Sequence, residues 1–428
     1  MLERTNMTDV STLPAGDRYV VISSDCHGGA SISAYRPYLA SKYHDDFDAW
    51  MQTFDNPYKD LKGNDAERNW DSDRRLSEME ADGVVGEVIF PNTIPPFFPA
   101  VSLLNQAPTN SAGDLERRWA GLQAHNRWLA DFCAEAPAQR AGIAQIMLHD
   151  VDAAVEEIRW AAEAGLRGGV LLPGAPPGSG VPPLYAPDYD PIWQTCEELG
   201  MPINHHSGSA APDYGDYPQA KVMFLLEVTW WAHRTLWHLI YAGVMERHPE
   251  LQFVFTEQGS EWVPDELARL DMYYGRMRNA GGSQEAAFGV GVVDQMSLSP
   301  SEYFARQCTL GSSFIRRHEV ALHEQIGTER IMWGSDFPHL EGCWPWSKDH
   351  LKMSFGGQCT PTEIQQMVGG NAARIYGFDL DALAPIAARV GPTVDQLDTP
   401  LKRDDIPDEA LRCPAFAIGK FRPDPDLD

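Results

Sequence analysis

Between residues 19 and 376, short apolar, β-rich runs alternate with longer amphipathic segments of helical period, about eight times in succession. No other feature narrows the fold as far. Strands joined by helices pair in parallel, because each crossover returns the chain to the same end of the sheet. Eight such units favour a closed α/β architecture, a (β/α)8 TIM-type barrel, over an open sheet. No Gly-x-Gly-x-x-Gly opens a helix after the first strand, which weighs against a dinucleotide-binding fold. The expected strands cover 19–24, 83–90, 141–148, 165–172, 201–204, 251–256, 305–311 and 330–333. The expected helices cover 74–82, 115–136, 151–164, 192–199, 227–248, 261–278, 316–326 and 361–376, with an internal bond from Asn371 in the last.

Three further stretches fall outside this rhythm. Residues 1–16 read as an N-terminal arm and 17–378 as the barrel domain. Residues 379–428, rich in Pro and Asp, read as an extended C-terminal arm. Within the barrel, residues 31–75 carry Trp50 and Trp70 without a clean period, and read as an insertion after strand 1 that covers the mouth. A Pro-rich loop (Pro95, Pro96, Pro99) follows the second strand. These two stretches point to a partly apolar small-molecule substrate, an aromatic one included.

Composition excludes several partners. The net charge of -27, from 61 acidic and 34 basic residues, argues against nucleic acid and anionic membranes. Residues 1–18 hold no apolar signal core, and no apolar run is long enough for a membrane span. The seven cysteines stand singly with no Cys-x-x-Cys pair, which fits reduced thiols in a cytoplasm. A homodimer is expected, with the C-terminal arm as a candidate contact.

Polar residues of catalytic type close several apolar runs, where barrel enzymes place their chemistry. Asp25 and His27 stand two apart on an extended segment, so both side chains face the same side. A carboxylate with an imidazole suits Zn²⁺, Mn²⁺ or Fe²⁺. His205 and His206 are adjacent and point opposite ways, so at most one is a direct ligand and the other orients its neighbours. Asp336, in Gly-Ser-Asp-Phe-Pro-His, is placed to bind a metal and take a proton from bound water. Glu257 ends the sixth run and must be paired if buried: by Arg234, as a metal ligand, or as a proton-transfer group. Arg234 and His233 are candidates for holding a substrate carboxylate, and His339 for lining the pocket. Trp230, Trp231 and Trp237 read as packing, and His125, His149, His238, His248, His318, His323 and His350 as structural or solvated.

Five segments in order carry a family resemblance: Ile22-Ser-Ser-Asp-Cys-His27, His205-His206-Ser-Gly208, residues 243–257, Ile331-Met-Trp-Gly-Ser-Asp-Phe-Pro-His339, and Gly370-Asn-Ala-Ala-Arg-Ile-Tyr-Gly377. From about residue 19 to 378 the chain resembles the amidohydrolase-related metal-dependent hydrolases, in the branch with the aminocarboxymuconate-semialdehyde and resorcylate-type decarboxylases. The resemblance implies one divalent metal, Zn²⁺ first and Mn²⁺ as the alternative, held by Asp25, His27, His206 and Asp336. It departs from the family pattern at Asp25, where a histidine is frequent, and at Glu257, where a histidine often does acid–base work. No carboxylated-lysine signal stands on the fourth strand, which favours one metal over two. The activity so implied is hydrolysis of a carbonyl-containing small molecule by metal-activated water, with Asp336 taking the proton and Glu257 or His205 assisting the leaving group. The alternatives are a metal-dependent decarboxylase of an aromatic or unsaturated acid, and a non-catalytic small-molecule-binding barrel.

Overall fold

β1 (Ile22–Gly28) starts later than expected and runs on through Gly28, so Asp25 and His27 belong to the strand itself. The computed structural model describes residues 16–55, 62–92, 94–98, 111–280, 283–418 and 422–423. Most of the arm at 1–16, together with Pro99, lies outside the described residues.

The remaining strands follow in order: β2 (Gly86–Pro91), β3 (Arg140–Gly142), β4 (Ala144–Gln145), β5 (Val170–Leu171), β6 (Ile203–His206), β7 (Phe253–Thr256), β8 (Cys308–Ser313) and β9 (Ile331–Gly334). All pairings among them are parallel, in the orders β1-β2-β3 and β4-β5-β6-β7-β8-β9. The expected third strand is one stretch broken at Ile143, which joins the two sheets. The Ile143 amide donates to Ile89 O at 3.0 Å, and the Ala144 amide to Gly169 O at 2.9 Å. At the other seam, Cys26 bridges Phe337 in parallel, the Asp336 amide donates to Asp25 O at 2.8 Å and the His27 amide to Phe337 O at 2.7 Å. The first and last strands of the α/β barrel therefore meet just where the metal-binding residues are expected.

Register sets which side chains face the lumen. Asn204 pairs with Val254, and Val254 with Thr309; His206 pairs with Thr256, Thr256 with Gly311, and Gly311 with Met332. Ile22, Val88, Phe90, Ala141, Ile143, Leu171, Val254 and Met332 belong to one buried apolar cluster. The larger cluster includes Leu236, Phe253, Leu310 and Trp333. Apolar residues lie on both faces of strands this deeply buried, as parallel strands require.

The covering helices lie near their expected places, with three corrections. The helix expected at 227–248 is Ala220–Tyr241, and Gly243 two residues on, with a φ of 69°, breaks the helical path. Helix Pro300–Gln307 takes Ala305 away from the expected seventh strand, because Ser299 and Glu302 form a capping box that starts a helix there. Asn371 does not bond within its helix; its Nδ2 donates to Thr328 O at 2.8 Å and Ile331 O at 2.7 Å, tying the last barrel helix to the start of β9. The insertion at 31–75 folds into short helical turns and helix α1 (His44–Thr53), and Asn69 meets Asn92 beside the ends of β1 and β2. The C-terminal extension is helical over Leu380–Val390, with Asp379 as its cap, where an extended arm was expected. It turns back onto the barrel through a bond from the Tyr19 amide to Pro392 O at 3.0 Å.

Candidate metal centre

Asp25, His27, His206 and Asp336, carried by β1, by β6 and by the loop after β9, come together at the carboxyl ends of the strands. Donor atoms of Asp25, His27 and His206 lie within 4.8 Å of one another, as do those of His27, Asp336 and His339. His27 is common to both groups. Its Nε2 is 3.3 Å from Asp25 Oδ1 and 3.2 Å from Asp336 Oδ1, and His206 Nε2 is 3.4 Å from Asp25 Oδ1. None of these approaches has the alignment of a hydrogen bond. Asp25 Oδ1, His27 Nε2, His206 Nε2 and both Asp336 carboxylate oxygens are buried without hydrogen-bond partners. Such orphaned polar atoms are costly and rare, and here five of them belong to two overlapping groups that share His27.

The outer nitrogens are committed elsewhere. His27 Nδ1 lies 3.2 Å from Pro91 O, His206 Nδ1 3.0 Å from Ser207 O, and His339 Nε2 3.0 Å from Asn92 Oδ1. Each carbonyl or amide oxygen accepts the outer ring N–H and leaves the inner nitrogen turned to the cluster, the orientation that metal-binding histidines require. The Ser313 hydroxyl of β8 donates to Asp25 Oδ2. Phe90 packs its ring 4.7 Å from that of His206 and 5.9 Å from that of His27, an apolar wall on one side of the cluster.

Backbone shape is specific here. Asp336 (φ 60°) and Glu257 (φ 55°) both occupy the left-handed region, which for such residues costs about 1–3 kcal/mol. At Asp336 the two bonds to β1 hold the turn. Gly334 permits the approach of the strands, since a Cβ there would lie 2.7 Å from Asp25 Cβ.

Charge follows from proximity. Burial pushes the Asp25 carboxyl up, but His206 and His27 outweigh it and hold it well below the usual range. Asp336 is likewise held low by His339 and His27 against the effect of burial. Burial opposes charge on His206, yet Asp25 and Glu257 raise it to about 9. Glu257 goes the other way: burial, with Asp336 and Asp25 nearby, lifts it to about 7 against the pull of His206. Its Oε2 accepts the Ser207 hydroxyl at 2.7 Å and lies 3.3 Å from His206 Nδ1, with 26% of the side chain still open. The site thus pairs low-lying carboxylates with one carboxyl able to carry a proton near neutrality.

Over residues 47–378 the chain matches the model of the amidohydrolase family. It belongs to that family. This amidohydrolase is 30% identical to the gamma-resorcylate decarboxylase of Rhodococcus jostii (strain RHA1) over 251 residues, covering 55% of this chain and 71% of the relative. Among solved structures it resembles 5-carboxyvanillate decarboxylase of Sphingomonas paucimobilis, with TM-score 0.62 and 19% identity over 84% of this chain and 100% of that one. Dihydroxybenzoic acid decarboxylase of Polaromonas sp. JS666, crystallised with manganese and 2-nitroresorcinol, gives TM-score 0.57 and 18% identity over 84% and 97%. The amidohydrolase is therefore an enzyme of this superfamily, and the non-catalytic barrel falls away.

Three of the expected site residues stand apart from the cluster. His205 is buried with its ring turned outward: Nδ1 is 3.1 Å from Leu172 O and Nε2 3.0 Å from the Thr235 hydroxyl. Burial lowers it to about 4, so it is neutral. His233 stacks on Trp262 with ring centroids 3.9 Å apart and meets Gln258 O at 2.9 Å. Arg234 lies over Trp231 at 4.4 Å, so it is not the partner of Glu257, whose place is taken by Ser207. His339 joins the cluster, 3.1 Å from Asp336 Oδ1. Ser313, Ser207 and Asn92 enter the site without any sequence signal, because isolated Ser and Asn residues look alike wherever they fall.

Proposed function

We propose that this amidohydrolase is a metal-dependent, non-oxidative decarboxylase of an aromatic carboxylic acid. The observation that carries the reading is the set of five buried, unpartnered donor atoms on Asp25, His27, His206 and Asp336. Two carboxylates and two imidazoles suit one divalent cation, Mn²⁺ or Zn²⁺. The cation would supply a Lewis acid that chelates the substrate carboxylate and a neighbouring oxygen. Phe90, fully buried against His206 and His27, closes the cation site off from water on that side. Glu257, with its carboxyl lifted to about 7, holds the proton that the ring carbon takes as carbon dioxide leaves. Ser207 orients that carboxyl through Oε2, and solvent returns the proton through its open edge. Arg234 and His233 act outside this chemistry, and His205 supports β6 from behind.

Hydrolysis of a carbonyl compound, the leading expectation from sequence, would use the same residues with Asp336 as base. The relatives that act on carboxylated phenols favour decarboxylation over it. The test incubates manganese- and zinc-loaded enzyme with a panel of hydroxybenzoates and carboxyvanillate, and in parallel with esters, amides and lactones. Carbon dioxide and the matching phenol are expected from the first panel. Turnover confined to the second panel would return the assignment to hydrolysis.

The reading includes a homodimer in the cytoplasm. All seven cysteines are free, in keeping with a reducing compartment. Among the described residues no helix is long and apolar enough to cross a membrane. Light scattering should give twice the 47.6 kDa of one chain; a monomer would remove the dimer from the reading.

A further inference from the structure

At the opposite end of β9 from Asp336, His323, Cys359 and Glu363 bring an imidazole, a thiol and a carboxylate together. Their donor atoms all lie within 4.8 Å of one another. His323 opens the short helix His323–Ile326, Cys359 lies in the turn after helix Ser347–Phe355, and Glu363 is in helix Pro361–Gln365. Thr328, which contacts His323, comes three residues before β9 begins at Ile331. The cluster therefore sits at the amino-terminal end of the strands and shares no residue with the mouth.

We propose that His323, Cys359 and Glu363 form a second metal site, for one divalent cation of the zinc class. Nitrogen, sulfur and oxygen donors together make a borderline-soft set that zinc takes readily and magnesium or calcium does not. Each arm is already oriented. The Thr328 hydroxyl stands 2.9 Å from His323 Nδ1, and the ring is buried. With the Nδ1–H donated to that hydroxyl, Nε2 keeps its lone pair. Glu363 accepts the Thr360 amide at 2.7 Å and its hydroxyl at 2.8 Å, both on Oε2, so Oε1 is available. Cys359 is partly buried and in no disulfide.

Capping alone accounts for Glu363, and burial alone for His323. Neither accounts for the thiol placed beside both. Zinc bonds of about 2.0–2.3 Å put tetrahedral donors roughly 3.3–3.8 Å apart, so the three side chains need to close by no more than about 1.5 Å. Three protein donors leave the fourth position to water. A cation there ties the turn before β9 to the last barrel helix, and its role is to hold the base of the barrel. His323, read from sequence as structural, gains a partner that sequence distance had hidden: 36 residues separate it from Cys359.

The test uses the full chain, kept reduced with a phosphine and loaded with Co²⁺ in place of zinc. Only a cysteine ligand gives thiolate-to-cobalt charge-transfer absorption in the near ultraviolet, and the mouth site has none. The band is expected in the wild type, in Asp336→Asn and in Cys413→Ser, and is expected to vanish in Cys359→Ser and His323→Gln. Zinc content should fall from about two per chain to about one in either of the last two variants. Absence of the band in the wild type, or its survival in Cys359→Ser, overturns the proposal. Should Cys359→Ser fail to fold, melting decides the matter. In the Asp336→Asn background zinc should raise the melting temperature by several degrees, and adding His323→Gln should abolish the rise; a rise that persists overturns the proposal.

Discussion

At the scale of single residues, one feature organises the site: donor atoms without protein partners surrounded by donor atoms that have them. Asp336→Asn and His27→Ala each change an inner donor and leave the backbone bonds across the seam, Asp336 N to Asp25 O and His27 N to Phe337 O, in place. Both variants should fold, lose the cation at the mouth and lose activity below detection, as metal analysis and carbon dioxide release would show. Survival of full activity in either would exclude the metal-assisted reading. Glu257→Gln keeps the Ser207 contact but carries no transferable proton. It should retain the cation while kcat falls by about 10²–10⁴-fold, the usual worth of a general acid. A Glu257→Gln enzyme with normal kcat would assign the proton to another group. Gly334→Ala tests the backbone instead: its Cβ would lie 2.7 Å from Asp25 Cβ, so metal affinity should drop although no donor has been removed.

At the scale of elements, two buried charges bind helix α2 (Ser72–Asp82) to the barrel. Arg75 donates from Nε to both Glu87 oxygens, at 3.0 and 2.8 Å, and from Nη1 to His27 O at 2.8 Å. Arg140 of β3 reaches Glu87 from the other side at 3.2 Å. Burial would push Glu87 up, but the two arginines hold it low. Glu87→Gln leaves two buried guanidinium groups short of a counter-charge and should cost about 3–5 kcal/mol in chemical denaturation. A loss under 1 kcal/mol would show that the triad contributes little. At the other end of α2, Asp82 is buried and accepts the Ser347 amide at 3.0 Å, at the start of helix Ser347–Phe355. Burial raises its carboxyl from 3.8 to about 7. The folded chain then binds a proton that the unfolded chain has released, so stability falls as pH climbs from about 4 to 7 and levels off above. At about 1.4 kcal/mol per pKa unit, the loss is at most about 4 kcal/mol. Asp82→Asn keeps the Ser347 bond and should flatten that segment of the stability–pH curve; an unchanged curve would place the titration elsewhere.

At the scale of the whole molecule, a cation at the mouth would join β1, β6 and the loop after β9, which are distant in sequence and meet at the barrel seam. Saturating metal at about a thousandfold above its dissociation constant adds roughly 4 kcal/mol. For a chain of this size that is a rise in melting temperature of roughly 4–5 °C. Calorimetry should show this rise on adding Mn²⁺ to chelator-treated enzyme, and no rise in Asp336→Asn. Equal shifts in both proteins would mean that the stabilising cation sits elsewhere.

The alternation of strands and helices was legible in the chain because burial on both faces demands continuous apolar runs, and helical crossovers demand amphipathic ones. The same logic marked Asp25, His27, the pair His205–His206, Glu257 and Asp336, since a carboxylate or imidazole at the end of a buried strand is too costly to be idle; only the family resemblance chose His206 over His205. Strand ends were misread where strand and loop share composition: β1 and β6 run through their polar residues, and a capping box turned Ala305 into helix. Tertiary structure alone decided the rest. It turned His205 outward, gave Arg234 to Trp231 and Glu257 to Ser207, and set Ser313 against Asp25. Those partnerships depend on the register of strands far apart in sequence, and a one-residue change in register would reverse which side of each strand faces the cation.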